Sequence, residues 1–87
     1  MDTKEAFDAI QRKLNADPRK SPVESFFDER AFGNFWITYE EGGQRLSVVN
    51  DRGQLTLHDS SASGHFRKML VSDLRNADEQ AVLSAIG

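Results

Sequence analysis

The sequence predicts a small α+β fold with N-terminal helices, a three- or four-stranded antiparallel β-meander and a C-terminal helix. Three observations predict it. Apolar residues near the N-terminus recur with helical spacing, and residues 34–58 alternate between apolar and polar in segments separated by glycine-containing turns. A second helical stripe follows near the C-terminus. Because a chain of 87 residues buries one hydrophobic core, we expect a single domain over residues 1–87.

The first predicted helix covers about residues 3–15. Asp2 and Glu5 have the spacing of a capping box, and Asp17-Pro18 marks the end of the helix. Its apolar stripe consists of Phe7, Ile10 and Leu14.

A second, short helix is predicted over about residues 22–30. In the segment Ser21–Glu24, serine suits the N-cap, proline suits the first helical position and glutamate follows three residues after the cap. This helix would turn Val23, Phe26 and Phe27 inward, and Gly33 would end the segment.

The meander is predicted to consist of strands over about residues 34–40, 44–50 and 54–59. Gly42-Gly43 suits a two-residue hairpin loop, and Asn50–Gly53 suits the second turn. The first loop sets a register that pairs Tyr39 with Leu46, Ile37 with Val48, Trp36 with Val49, Thr38 with Ser47 and Glu40 with Arg45.

Alternation gives this sheet two faces of different character. The apolar face must pack against helices, whereas the polar face is free to contact a partner unless another part of the chain covers it. The apolar face carries Phe35, Ile37, Tyr39, Leu46, Val48, Leu55 and Leu57. The polar face carries Trp36, Thr38, Glu40, Arg45, Ser47, Val49, Thr56 and His58.

Residues 65–71 are compatible with either a helix or a fourth strand. We favour the strand, because Asn76 and Glu79 form a second capping box that would start a separate helix over about residues 77–86. The apolar side of that helix would carry Ala77, Ala81, Val82, Ala85 and Ile86.

Composition excludes several classes of function. The chain has no cysteine, which excludes disulfides, thiolate zinc sites and cysteine nucleophiles. This composition suits a cytoplasmic location, with the periplasm as the open alternative. The net charge of −3 argues against binding to nucleic acids or anionic membranes, which normally require a basic surface. The longest apolar runs are too short to span a membrane.

Two segments have residue types that occur in chemical sites, but neither has a complete set. His58, Asp59 and His65 are potential zinc ligands without an evident fourth ligand. The Ser60–His65 segment has one glycine, too few for a phosphate-binding loop, and a serine–histidine pair also needs an orienting acid and an oxyanion hole. We therefore expect no catalytic residue, no metal and no cofactor.

Trp36 is the strongest functional candidate, because an exposed tryptophan beside a small apolar residue and a polar rim is typical of an interaction hot spot. The alternative is that another part of the chain buries it in a second core. We predict a partner-binding face formed by Trp36, Thr38, Arg45, Ser47, Val49, Thr56 and His58.

These features favour a non-enzymatic protein-binding module, such as a small bacterial-style immunity, antitoxin, inhibitor or adaptor protein. The alternative is a small-ligand or regulatory domain that uses the Trp36 face or a pocket between sheet and helices. A protein partner is expected, and the oligomeric state is left open.

Overall fold

The computed structural model describes residues 1–59 and 65–87. It contains helix α1 (Thr3–Ala16), strands β1 (Ser21–Asp28), β2 (Asn34–Glu41), β3 (Gln44–Asp51), β4 (Gln54–Asp59) and β5 (His65–Val71), a 3-10 turn (Leu74–Asn76) and helix α2 (Glu79–Ile86). The strands form one antiparallel sheet in the order β1-β2-β3-β4-β5. The predicted α+β class is confirmed, but the sheet has five strands rather than three or four.

The predicted helix over residues 22–30 is wrong, because this segment is strand β1. Pairing with β2 sends consecutive phenylalanines to opposite faces. The Phe27 ring packs 5.4 Å from the Phe7 ring in the core, while Phe26 lies on the other face. Pro22 is tolerated because β1 is an edge strand, where a missing N–H removes no ladder bond. Tertiary pairing thus outweighs the local capping signal.

Residues 65–71 form strand β5, as the favoured alternative predicted. The final helix begins at Glu79 rather than near residue 77, because the Asp78 side chain accepts a hydrogen bond from the Ala81 N–H (2.8 Å) and is the actual N-cap. Asn76 belongs instead to the preceding 3-10 turn.

The predicted register of the β2–β3 hairpin is confirmed at all five pairs, including Trp36 with Val49 and Thr38 with Ser47. Gly42 and Gly43 both have positive φ, at 59° and 80°. This is the backbone that a two-residue type I′ turn requires.

The core lies between the apolar face of the sheet and the two helices. The N-cap at Asp2 is confirmed, since its side chain accepts from the Lys4 N–H at 3.3 Å. Helix α2 contributes Val82, and the 3-10 turn contributes Leu74. The predicted apolar face is confirmed, with six of its residues buried and Leu57 half-buried against the core. The buried residues of the core are Ala6, Phe7, Ile10, Leu14, Phe35, Ile37, Tyr39, Leu46, Val48, Leu55, Leu74 and Val82.

Two turns at one end of the sheet are joined by the buried Asn50 side chain. Its Nδ2 donates to the Gly33 carbonyl oxygen at 3.0 Å, and its Oδ1 accepts from the Gly53 N–H at 3.1 Å. The Asn34 Oδ1 adds a third bond between these turns by accepting from the Arg52 N–H at 2.9 Å. These bonds hold the β1–β2 connection against the β3–β4 turn.

At the opposite end, the Lys20 side chain is buried and paired. Its Nζ lies 2.8 Å from Asp17 Oδ2 and 3.6 Å from Glu41 Oε2. Hydrogen bonds from the side chains of Arg19 and Lys20 hold the pKa of Asp17 well below its usual range, and the bond to Asp17 raises the pKa of Lys20. The buried ammonium group of Lys20 therefore connects the turn after α1 to the end of β2.

Candidate functional site

The face of the sheet that lies opposite the helices carries two complete rows of side chains across the five strands. Strand register defines them, because directly paired residues of neighbouring strands project to the same face. The Trp36 row consists of Phe26, Trp36, Val49, Thr56 and Met69. The Thr38 row consists of Glu24, Thr38, Ser47, His58 and Phe66. We call this surface the open face.

Large apolar side chains on the open face are exposed to solvent. Trp36 is 39% exposed, Phe26 45%, Met69 43% and Phe66 60%. Within residues 1–59 and 65–87, both helices pack on the opposite side of the sheet, where Phe7 of α1 and Val82 of α2 join the core. The structure therefore leaves Trp36 on a surface rather than in a second core.

An aromatic pair lies on the β1–β2 side of the open face. The rings of Phe26 and Trp36 stack with centroids 4.7 Å apart and an interplanar angle of 27°. Such a pair contributes about 0.5–1.5 kcal/mol beyond its area burial. Stacking also restricts the rotation of both side chains, which limits the side-chain entropy lost when a partner binds.

Four of the predicted site residues lie beside this pair but are engaged with one another. Thr38 and Ser47 are buried, and their hydroxyl oxygens are 2.7 Å apart in a hydrogen bond. Thr56 Oγ1 lies 3.0 Å from His58 Nε2, and the His58 ring makes an edge contact with Phe66 at 5.8 Å. These polar groups stabilise the floor of the open face, while the neighbouring rings form its outer surface.

The remaining two predicted residues are placed differently. Val49 is half-buried directly opposite Trp36 and widens the apolar surface. Arg45 lies at the rim, where its guanidinium pairs with Glu40 at 3.0 Å, and both side chains are about half exposed. An exposed pair of this kind contributes about 0.2–1 kcal/mol, so Arg45 is better suited to orienting a partner than to anchoring it.

A polar row lies on the other side of the Trp36 row. Asp28, Asn34 and Asp51 are each two positions from Phe26, Trp36 and Val49 along their strands, so they project to the same face. We call them the Asn34 row. Together with these apolar residues they line a depression of about 250 Å³. An acidic border therefore adjoins the aromatic pair.

The potential metal ligands are not assembled into a site in the described part of the chain, where no group of three or more histidine, aspartate or glutamate side chains could hold a metal ion. Asp59 pairs with His65 across β4 and β5, and His58 pairs with Phe66. Of the Ser60–His65 segment considered above, residues 60–64 lie outside the described residues.

Several residues of the open face were missed from the sequence. Phe26 was assigned to a helix, although the adjacent phenylalanines at 26 and 27 are also compatible with a strand that has one aromatic residue on each face. Phe66 and Met69 were missed because β5 has two irregularities opposite β4, which interrupt the alternation of its side chains.

No helix within residues 1–59 and 65–87 has the length and apolar content needed to cross a bilayer. No protein-family model matches the chain, and comparison with curated proteins and with solved structures yields no match either. Function must therefore be argued from the open face itself.

Proposed function

We propose that the chain is a non-enzymatic protein-binding module of the immunity, antitoxin, inhibitor or adaptor type, which presents its open face and flanking turns to a protein partner. The observation that supports this is the stacked and partly exposed Phe26–Trp36 pair, which lies on the same face as exposed Met69 and Phe66. Exposed apolar surface of this kind, with a polar rim, is characteristic of interaction sites.

The edges of the sheet favour recognition through the face rather than by strand addition. Edge strand β1 carries Pro22 and a register irregularity between Pro22 and Glu24, and edge strand β5 has two more irregularities. Irregular edges with proline or charged side chains discourage pairing with another strand. Arg67 and Lys68 place exposed charge on β5. Main-chain augmentation is thus disfavoured at both edges.

Other features also support this proposal. The polar groups nearest to Trp36 are hydrogen-bonded within the floor of the face, with Ser47 and Thr38 buried. A serine hydroxyl held in this way is poorly placed to act as a nucleophile, which needs access to substrate and an adjacent base. A cytoplasmic location belongs to the same proposal and is supported by the absence of cysteine.

The test is affinity capture from a lysate with the wild-type chain, Trp36→Ala, Phe26→Ala and the control Phe32→Ala. Phe32 is 78% exposed but lies in the connection between β1 and β2, outside the two rows. Removing a hot-spot aromatic costs about 2–4 kcal/mol, so a true partner should lose about 30-fold or more in affinity with Trp36→Ala and clearly less with Phe32→Ala, because a flanking turn contributes less than the centre of an interface.

Circular dichroism establishes that each variant is folded before captures are compared. If every protein retained by the wild type binds folded Trp36→Ala and Phe26→Ala equally well, the open face is not the docking surface. The protein-binding proposal for this face then fails.

The depression of about 250 Å³ beside Trp36 favours one alternative, a small-ligand or regulatory domain. Trp36 is the sole tryptophan, so its fluorescence reports directly on this face. Saturable quenching by a member of a metabolite panel would favour the alternative, whereas an unchanged spectrum across the panel would favour a protein partner.

A further inference from the structure

The Asn34 row places two carboxylates at the border of the aromatic pair. Asp28 and Asp51 lie on β1 and β3, on either side of Asn34 in β2. Strands separated by one neighbour are about 9–10 Å apart. A single cationic group seated above Asn34 is therefore within reach of both side chains, and the depression that these residues line opens at this point.

Neither carboxylate is neutralised by an ion pair within residues 1–59 and 65–87. The Asp28 Oδ1 accepts from the Arg30 N–H at 3.0 Å, which leaves its second oxygen for another donor. Arg30 and Arg52 lie in the adjacent turns and are exposed, but no salt bridge joins them to Asp28 or Asp51. The border is therefore acidic and available to a cation from outside the chain.

The two carboxylates favour a guanidinium over an ammonium. A guanidinium donates several N–H groups in a planar fork that matches carboxylates, whereas an ammonium is a compact and strongly hydrated charge. Phe26 and Trp36 are each about two-fifths exposed beside the carboxylates. Arginine can therefore lay its aliphatic stem along the rings while its head reaches Asp28 and Asp51.

We infer that the open face binds an arginine side chain of a protein partner, with the stem on the Phe26–Trp36 pair and the guanidinium between Asp28 and Asp51. This inference rests on the proposed function and gives the partner its chemistry, a basic segment. The net charge of −3 assists the approach of such a segment at long range.

The test titrates the ¹⁵N-labelled full chain with the peptide Ac-Gly-Arg-Gly-Arg-Gly-NH₂ at low ionic strength. Its lysine and citrulline counterparts serve as controls, since citrulline keeps the shape of arginine without the charge. We expect saturable shifts concentrated at the Asn34, Trp36 and Asp51 amides. The citrulline peptide should bind about tenfold more weakly and the lysine peptide about threefold more weakly.

The matched variants separate this site from general attraction to an acidic protein. Asp28→Asn with Asp51→Asn removes both charges, and asparagine keeps the acceptor for the Arg30 N–H. This double variant should bind the arginine peptide about tenfold more weakly. Asp8→Asn removes a carboxylate from α1, on the far side of the sheet, and should bind within about twofold of the wild type.

Equal affinity for the arginine and citrulline peptides, unchanged affinity in the double variant, or no binding of the arginine peptide would each overturn the inference. Trp36-dependent capture that persists in the double variant would show that the protein-binding proposal survives without an arginine site. Self-association that is abolished by Trp36→Ala would assign the face to a second copy and would also overturn it.

Discussion

Asn50 joins the two turns next to the Asn34 row, and its replacement by alanine tests how strongly a buried amide stabilises this end of the sheet. The side chain is 1% exposed. It donates to the Gly33 carbonyl at 3.0 Å and accepts from the Gly53 N–H at 3.1 Å. Alanine cannot replace either bond, so both backbone groups lose their partner.

The loss of stability depends on how deeply the Gly33 carbonyl and the Gly53 N–H are buried. The bond to the Gly33 oxygen is buried, and leaving such an acceptor unsatisfied costs about 1–3 kcal/mol. The bond from the Gly53 N–H is half-buried, so water can partly replace it and the loss is about 0.5–1.5 kcal/mol. We expect Asn50→Ala to lower the free energy of unfolding by about 1.5–4.5 kcal/mol, a large part of the total for a domain of this size.

Urea denaturation followed by Trp36 fluorescence and far-ultraviolet circular dichroism measures this change. The matched control is Asn76→Ala, which removes an amide whose Nδ2 donates to Asp73 Oδ2 at 2.6 Å on the surface. We expect the control to cost less than about 0.5 kcal/mol. If Asn50→Ala costs no more than Asn76→Ala, burial is not what makes the Asn50 bonds stabilising, and the reasoning fails.

Two further predictions concern the opposite end of the sheet and a tight packing contact. Because the folded pKa of Asp17 lies below its unfolded value of 3.8, its contribution to stability is complete above that value and is lost as the pH falls. Urea midpoints between pH 6 and pH 2 should therefore fall more steeply for the wild type than for Asp17→Asn, and parallel curves would contradict this. At Gly33, with φ of 68°, an added Cβ would overlap the Thr3 hydroxyl, whereas Gly42 has a similar φ of 59° but open space around it. In thermal unfolding, Gly42→Ala should lower the free energy of unfolding by about 1 kcal/mol and Gly33→Ala by clearly more. Equal decreases would mean that the Thr3 side chain moves aside without an energetic cost.

The parts of the fold that were predicted correctly depend on local sequence. The helix that starts after Asp2 has its cap and apolar stripe within one segment, and the β2–β3 register follows from the Gly42-Gly43 loop and strict alternation. In each case the neighbours that decide the structure are close in the chain.

The incorrect predictions depend on partners distant in the chain. Ser21–Glu24 has the residues of a helix start, but the segment pairs with β2 and packs Phe27 against Phe7. The predicted N-cap of α2 at Asn76 is wrong as well, because residues 74–76 form a 3-10 turn whose Leu74 N–H donates to the distant Gly53 carbonyl oxygen at 2.8 Å. The capping residues in these segments do favour a helix start, but contacts with distant parts of the chain stabilise a different structure.

The amino-acid sequence by itself determined that residues 34–58 form a two-faced meander and that Trp36 lies on the face away from the core, because alternation has a period of two residues. Only the tertiary structure decided that the helices leave this face open within residues 1–59 and 65–87, that Phe26 stacks on Trp36, and that Asp28 and Asp51 lie along its border. The physical reason is that strand pairing decides which side chains become neighbours across the sheet. The sequence of one segment does not specify the segment with which it pairs.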